Sequence, residues 1–132
     1  MKSTYLYAIL AVALIGGLVL IRNTTDNPSR ATDLDAFIGC LDEKGATFYG
    51  AFWCPHCQAQ KGFLKNSPKI SDVYVECSTP DTKEQTQICI DKGITGYPTW
   101  EFADGSRLNG EQTVEVLAEK TGCELPPTAN AS

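Results

Sequence analysis

Four consecutive residues, Cys54-Pro55-His56-Cys57, hold the most reactive groups in this chain. Two thiols separated by two residues can close on one another, and the thiolate of either is a nucleophile toward a disulfide. Ahead of them, Ala46 to Trp53 is aromatic and uncharged, which predicts a short strand buried on both faces. Behind them, Pro55 to Asn66 reads as a helix with Pro in its first turn, where the missing N–H does no harm. Cys54 is therefore expected at a strand-to-helix junction, where free N–H groups and the helix dipole favour a thiolate. Cys57 lies one turn further in, placed to close a disulfide with Cys54 or to resolve a mixed disulfide held on it. His56, the only histidine, would as a cation favour the Cys54 thiolate and lean the pair toward oxidising chemistry.

Other uses of two cysteines fit less well. Structural zinc wants a second close pair or a histidine cluster, and Cys77 and Cys89 stand too far apart to supply one. Covalent haem attachment needs His directly after the second Cys, where Gln58 stands. A purely structural bridge between Cys54 and Cys57 would be a tight, strained ring. No metal or other cofactor is expected beyond the redox pair itself. Copper or zinc carriage by Cys54 and Cys57 stays open as an alternative from another class.

The surrounding elements alternate. A helix is expected from a capping Thr32, with Leu34, Phe37, Ile38 and Leu41 on one face and Gly45 ending it. After the strand and helix around the cysteines come a strand over Asp72 to Cys77, a helix over Thr82 to Lys92 and a strand over Thr99 to Ala103. An Asp104-Gly105 turn, a return strand from Ser106 to Asn109 and a helix from Thr113 to Thr121 complete the order. Strand-helix alternation implies a parallel pair and the hairpin adds antiparallel strands. The expected fold is α/β, a mixed four-stranded sheet flanked by helices, with one extra helix in front. The four remaining cysteines allow three pairings. Neighbouring elements usually touch, which favours Cys77 with Cys89 and leaves Cys40 with Cys123 to staple the extra helix to the end of the domain.

Composition places this domain. Eleven Lys and Arg against sixteen Asp and Glu give a net charge of −5, without the clustered basic face that nucleic-acid binding requires. Residues 5–21 carry no charge at all. As a helix they would rise roughly 25 Å, nearly the thickness of a bilayer core, with Lys2 and Arg22 reaching the headgroups. Residues 1–22 are thus expected to be a single-pass transmembrane anchor, residues 23–31 a polar linker, 32–123 the folded domain and 124–132 a disordered tail. Cleavage near Ser29-Arg30-Ala31 is the competing expectation, and either way the domain is exported. Paired cysteines suit that oxidising side of a cytoplasmic membrane, the periplasm or an equivalent space.

The same residues resemble a known arrangement. Cys-Pro-His-Cys after an aromatic strand, followed by Gly93-Ile94-Thr95-Gly96-Tyr97-Pro98-Thr99, is similar to the thioredoxin superfamily. Phe48 to Lys61, Tyr74 to Ser78 and Tyr97 to Trp100 more narrowly resemble the thioredoxin-like domain fused to, or partnered with, bacterial vitamin K epoxide reductase homologues. The resemblance implies a thioredoxin-like fold, a cis bond at Tyr97-Pro98 facing the cysteine pair, and substrate docking against Trp53, Tyr97 and Pro98. It also implies a thiol:disulfide oxidoreductase acting on exported protein thiols, with a quinone-linked membrane enzyme as its oxidant. Apart from the resemblance, the protein is expected to be a monomer. A reductase of the cytochrome c maturation type runs the same chemistry in reverse. One position departs from the pattern: thioredoxins carry a buried acid six residues before the first Cys, and here that residue is Phe48.

Overall fold

The structure is a computed structural model that describes residues 28–127. The expected anchor at 5–21, most of the linker and the last five residues lie outside the described part. Among the described residues no helix is long and apolar enough to cross a membrane.

The chain runs α1 (Pro28–Glu43), β1 (Thr47–Gly50), α2 (Pro55–Phe63), α3 (Ile70–Val73), β2 (Tyr74–Glu76), α4 (Gln87–Asp91), β3 (Thr99–Glu101), β4 (Arg107–Asn109) and α5 (Val114–Thr121). The four strands form one sheet in the order β2-β1-β3-β4. β1 pairs parallel with β2 and antiparallel with β3, and β3 pairs antiparallel with β4. This is the mixed four-stranded sheet that the element order predicts.

Alternation along the strands divides the interior into two layers. Phe48 and Trp100 face a large cluster with Leu34, Phe37, Ile38 and Leu41 of α1, Leu64, and Leu117 of α5. Tyr49 faces the other way, onto Cys77, Cys89 and Ile94. Helices therefore cover both faces, with α4 on the smaller side. Each layer has its own covalent link: Cys40 joins Cys123 across 83 residues and Cys77 joins Cys89 across 12. In the chain-entropy description such loops stabilise by about 4 and about 3 kcal/mol.

Several boundaries differ from those read from the sequence. β1 ends at Gly50 and not at Trp53, with Phe52 and Trp53 exposed beyond it, and α2 ends at Phe63 and not at Asn66. α1 starts at Pro28, not at a Thr32 cap, so residues 28–31 belong to the helix and not to a linker; Pro suits a first helical position. Asp72 and Val73 are the end of α3, which buries Ile70 and Val73 at a spacing of three, and β2 begins only at Tyr74. Thr82 to Thr86 is not helical, because Ser78 and Gln85 form an antiparallel bridge that holds this stretch extended before α4. At the far end, Glu124–Pro127 lies back along α1. Leu125 packs on the large cluster, Pro126 is buried, and together with Asp33, Phe37 and Cys40 they border a groove of about 410 Å³.

Candidate active site

β1 delivers the chain to Ala51, and Cys54 N–H donates to the Ala51 carbonyl in a tight turn (3.0 Å). Cys54 is the N-cap of α2, Pro55 is in its first turn, and Gln58 N–H bonds back to the Cys54 carbonyl (3.1 Å). The side chain of Cys54 caps nothing, so its sulfur is left for chemistry beside N–H groups that favour negative charge. Both Cys54 and Cys57 are free thiols and both are buried. Cys57 is the deeper, at 1% exposure against 6%. Burial pushes the Cys57 thiol up to about 12, assisted by its hydrogen bond with Cys54 and opposed by an Ala51 backbone hydrogen bond and the charge of Lys61.

That proton has a consequence for stability. The ordinary Cys value is 9.0 and the folded value is about 12; a raised folded pKa means stability that is complete below the unfolded value and lost as pH rises toward the folded one. The reduced protein should therefore lose stability above pH 9 relative to the Cys54–Cys57 disulfide form, which has no such proton. Urea midpoints of the two forms across that range check it, and parallel curves would contradict it.

The third element is the loop before β3. Tyr97-Pro98 is a cis peptide bond. Pro98 is fully buried, and its carbonyl accepts from Gly110 N–H (2.8 Å). The Tyr97 carbonyl lies 3.8 Å from Cys54 Sγ, close enough to accept a weak hydrogen bond from the thiol. Trp53 stands edge-on to the Tyr97 ring at 6.3 Å, and its indole N–H donates to Ser78 Oγ (2.8 Å). Trp53 is 41% exposed and Phe52 43%, so an apolar rim borders the sulfur pair. Thus Cys54, Cys57, Trp53, Tyr97 and Pro98 come together, and Pro55 does its work through the backbone.

His56 is placed differently from the expectation that it simply adds charge beside Cys54. Its side chain is 72% exposed and its Nδ1 is 2.6 Å from Glu111 Oε1, so any charge it gains is met by a carboxylate. Glu111 stands 55 residues away in sequence, and nothing local announces the pairing.

Beneath the pair the floor is aromatic. Phe48 is fully buried, stacked on Trp100 at 5.1 Å and edge-on to Tyr74 at 5.0 Å. No carboxylate occupies that position. Polar support comes instead from Glu76, whose Oε2 accepts from Tyr74 Oη (2.7 Å) and whose Oε1 accepts from Phe52 N–H (3.2 Å) and Ser78 N–H (3.0 Å). One carboxylate thus fastens the approach to Cys54 to the end of β2. Strand alternation puts Tyr74 and Glu76 on one face, the same face as Phe48 and Gly50 with which they are in register, which is the signal that could have picked them out. Among the described residues no cluster of three or more His, Cys, Asp and Glu side chains is placed to hold a metal ion.

A CxxC pair at the first turn of a helix, faced by a cis-proline loop across a mixed sheet, defines the thioredoxin class of fold. The thioredoxin family model matches residues 45–122, and the chain belongs to that family. Among curated proteins it is 42% identical over 88 residues to the thiol-disulfide oxidoreductase LTO1 of Arabidopsis thaliana, covering 64% of this chain and 23% of that one. It is 31% identical over 105 residues to a Drosophila melanogaster thioredoxin domain-containing protein 5 homolog, covering 70% of this chain and 24% of the relative. The chain thus spans about a quarter of the length of each of these relatives.

Proposed function

We propose that this protein is a membrane-anchored thiol:disulfide oxidoreductase working outside the cytosol, where it introduces or exchanges disulfides in exported proteins. The observation that carries the reading is the pair of buried thiols at the first turn of α2, with Cys54 under the Tyr97 carbonyl and an exposed aromatic rim beside it. The likeness to a relative named as a thiol-disulfide oxidoreductase supports it. The uncharged run at residues 5–21 supports an anchor, and two disulfides in the domain suit an oxidising space.

In the oxidising direction a substrate thiolate attacks Cys54 Sγ of the Cys54–Cys57 disulfide. The S–S bond breaks and its electron pair leaves on Cys57, which takes a proton from solvent. A second substrate thiolate then attacks the substrate sulfur of the mixed disulfide, a substrate disulfide forms, and Cys54 departs as thiolate. Two substrate thiols are oxidised and the pair is left reduced. A quinone-linked membrane enzyme of the vitamin K epoxide reductase type restores the disulfide, a role supported by the resemblance of the Phe48 to Lys61 string to domains that accompany such enzymes.

Trapping with Cys57→Ala in the native cell tests this, because a mixed disulfide formed on Cys54 then has no resolving thiol. Exported proteins and a membrane reductase homologue should accumulate as adducts that dithiothreitol releases, and Cys54→Ala should trap neither. A Cys57→Ala protein that collects no adduct would sink the proposal.

A further inference from the structure

Cys57 has to carry negative charge during every turnover, as the leaving sulfur in one direction and the attacking sulfur in the other. Its surroundings are hostile to that charge. Phe48, Leu64 and Trp100 belong to the apolar cluster around it, and β1 brings no titratable group to its side of the sheet.

Three groups outside the cysteine pair meet there. Lys61 follows Cys57 by four residues within α2, so the two side chains share one helix face. Its Nζ lies 3.6 Å from the centroid of the Tyr74 ring. The Tyr74 ring edge and Cys57 Sγ converge on Gly50, lying 2.9 Å and 3.0 Å from where a Cβ would stand. Tyr74 in turn is fixed by its hydroxyl on Glu76. Lys61 is half-buried, and no ion pair to it is present among the described residues.

We infer that Lys61, seated on the ring of Tyr74, is the positioning residue for the Cys57 thiolate: its ammonium stabilises the charge on Cys57 when the Cys54–Cys57 bond opens or closes. This deepens the proposed oxidoreductase reading and rests on it. Seating the cation on a ring face keeps it near Cys57 without a carboxylate neutralising it, since a cation over an aromatic face is held by the ring quadrupole. Tyr74, tied to Glu76, cannot swing away. The other ionisable groups about Cys57 are Cys54 at the start of α2, Tyr74 and Glu76 from β2, and Tyr97 from the loop before β3. His56 and Glu111 satisfy each other at the exposed start of the helix. Lys61 is thus the cation that shares the helix face of this sulfur and the ring beside it, and its charge does oppose the effect of burial there.

The test compares wild type, Lys61→Met and Lys61→Arg in two assays. In the first, the oxidised protein is reduced by dithiothreitol in a single turnover followed by Trp fluorescence. Lys61→Met should be slower by about tenfold, the effect of one neighbouring charge, and Lys61→Arg should stay within about twofold of wild type. In the second, the pH profile of iodoacetamide reaction at Cys57 is measured in a Cys54→Ser background. Lys61→Met should move it up by about one pH unit and Lys61→Arg should leave it in place. Urea midpoints of the three proteins show whether each variant keeps the fold. If Lys61→Met moves neither readout, or if Lys61→Arg fails as badly as Lys61→Met, the inference is overturned. The alkylation profile does not depend on the protein exchanging disulfides in the cell, so a failure of the functional reading in the trapping experiment is distinguishable from a failure of the role given to Lys61.

Discussion

Gly50→Val should destabilise the protein by about 1–3 kcal/mol, the usual range for overpacking a filled core, and slow disulfide exchange by about tenfold or more, a barrier increase of about 1.4 kcal/mol. Gly50 ends β1 and pairs with Glu76 of β2. A Cβ there would stand 2.9 Å from Tyr74 Cε2, 3.0 Å from Cys57 Sγ and 3.2 Å from Phe48 Cε2. None of the three has an easy retreat. Phe48 is held between two rings. Tyr74 is covered by Lys61 and tied to Glu76, and Cys57 sits on a helix whose start is fixed by Pro55 and by the Gln58 N–H bond to the Cys54 carbonyl. The two γ-methyls of Val make the conflict worse than Ala would. Closing a disulfide needs the two Cβ atoms about 3.5–4.5 Å apart, so a displaced Cys57 loses the geometry for bonding Cys54. Urea denaturation and dithiothreitol single-turnover rates measure both effects. Wild-type exchange by Gly50→Val would mean that Gly50 does not set the place of the Cys57 sulfur.

Gly50 also marks what was legible and what was not. The cysteine pair at a strand-to-helix junction is a local feature, written in an aromatic uncharged run followed by a helix with Pro in its first turn, and the structure has that junction. A glycine inside such a strand is itself a sign of close approach, and here the approaching atom is the sulfur of Cys57. The mixed sheet followed from alternation of element types, since parallel pairs need crossovers and hairpins do not, whereas the order β2-β1-β3-β4 came only with the structure. Short elements were less readable. Ile70 and Val73 fit a helical turn, yet Val73, Val75 and Cys77 also alternate as a strand would, and four residues cannot separate the two periods. The extended stretch before α4 depends on Ser78 meeting Gln85, a contact no propensity reports. Strand alternation could place Glu76 on the face of the site, but the partners of its polar support were hidden for the same reason: Glu76 reaches Phe52 across 24 residues and Glu111 reaches His56 across 55. The expectation that His56 would as a cation favour the Cys54 thiolate followed from its neighbours in sequence, whereas its partner in space is the Glu111 carboxylate.

Gln60→Leu should cost about 3 kcal/mol, although leucine has nearly the volume of glutamine and a higher affinity for the core. Gln60 is fully buried on α2. Its Oε1 accepts from Trp100 Nε1 (3.2 Å) and from Gln112 N–H (2.6 Å), and its Nε2 donates to the Gln112 carbonyl (2.9 Å). Leucine would strand an indole N–H, a backbone N–H and a backbone carbonyl together. Each such group costs about 1–3 kcal/mol when no partner replaces the one removed. Gln112 is half-buried, so water can reach part of its backbone, which keeps the sum toward the low end. Trp100 is fully enclosed at the centre of the sheet and has no such relief. A loss of this size is a large part of the roughly 5–15 kcal/mol that holds a small domain together. The effect should also reach the rim of the site, because Gln112 fixes the strand-to-helix connection that carries Glu111 to His56. In the His56 side-chain NMR signals, Gln60→Leu should therefore resemble Glu111→Gln, while Glu111→Gln, at the surface, should leave the urea midpoint nearly unchanged. A Gln60→Leu protein within about 1 kcal/mol of wild type, less than one stranded buried group should cost, would show that the two helices and the sheet can close around Trp100 without this amide.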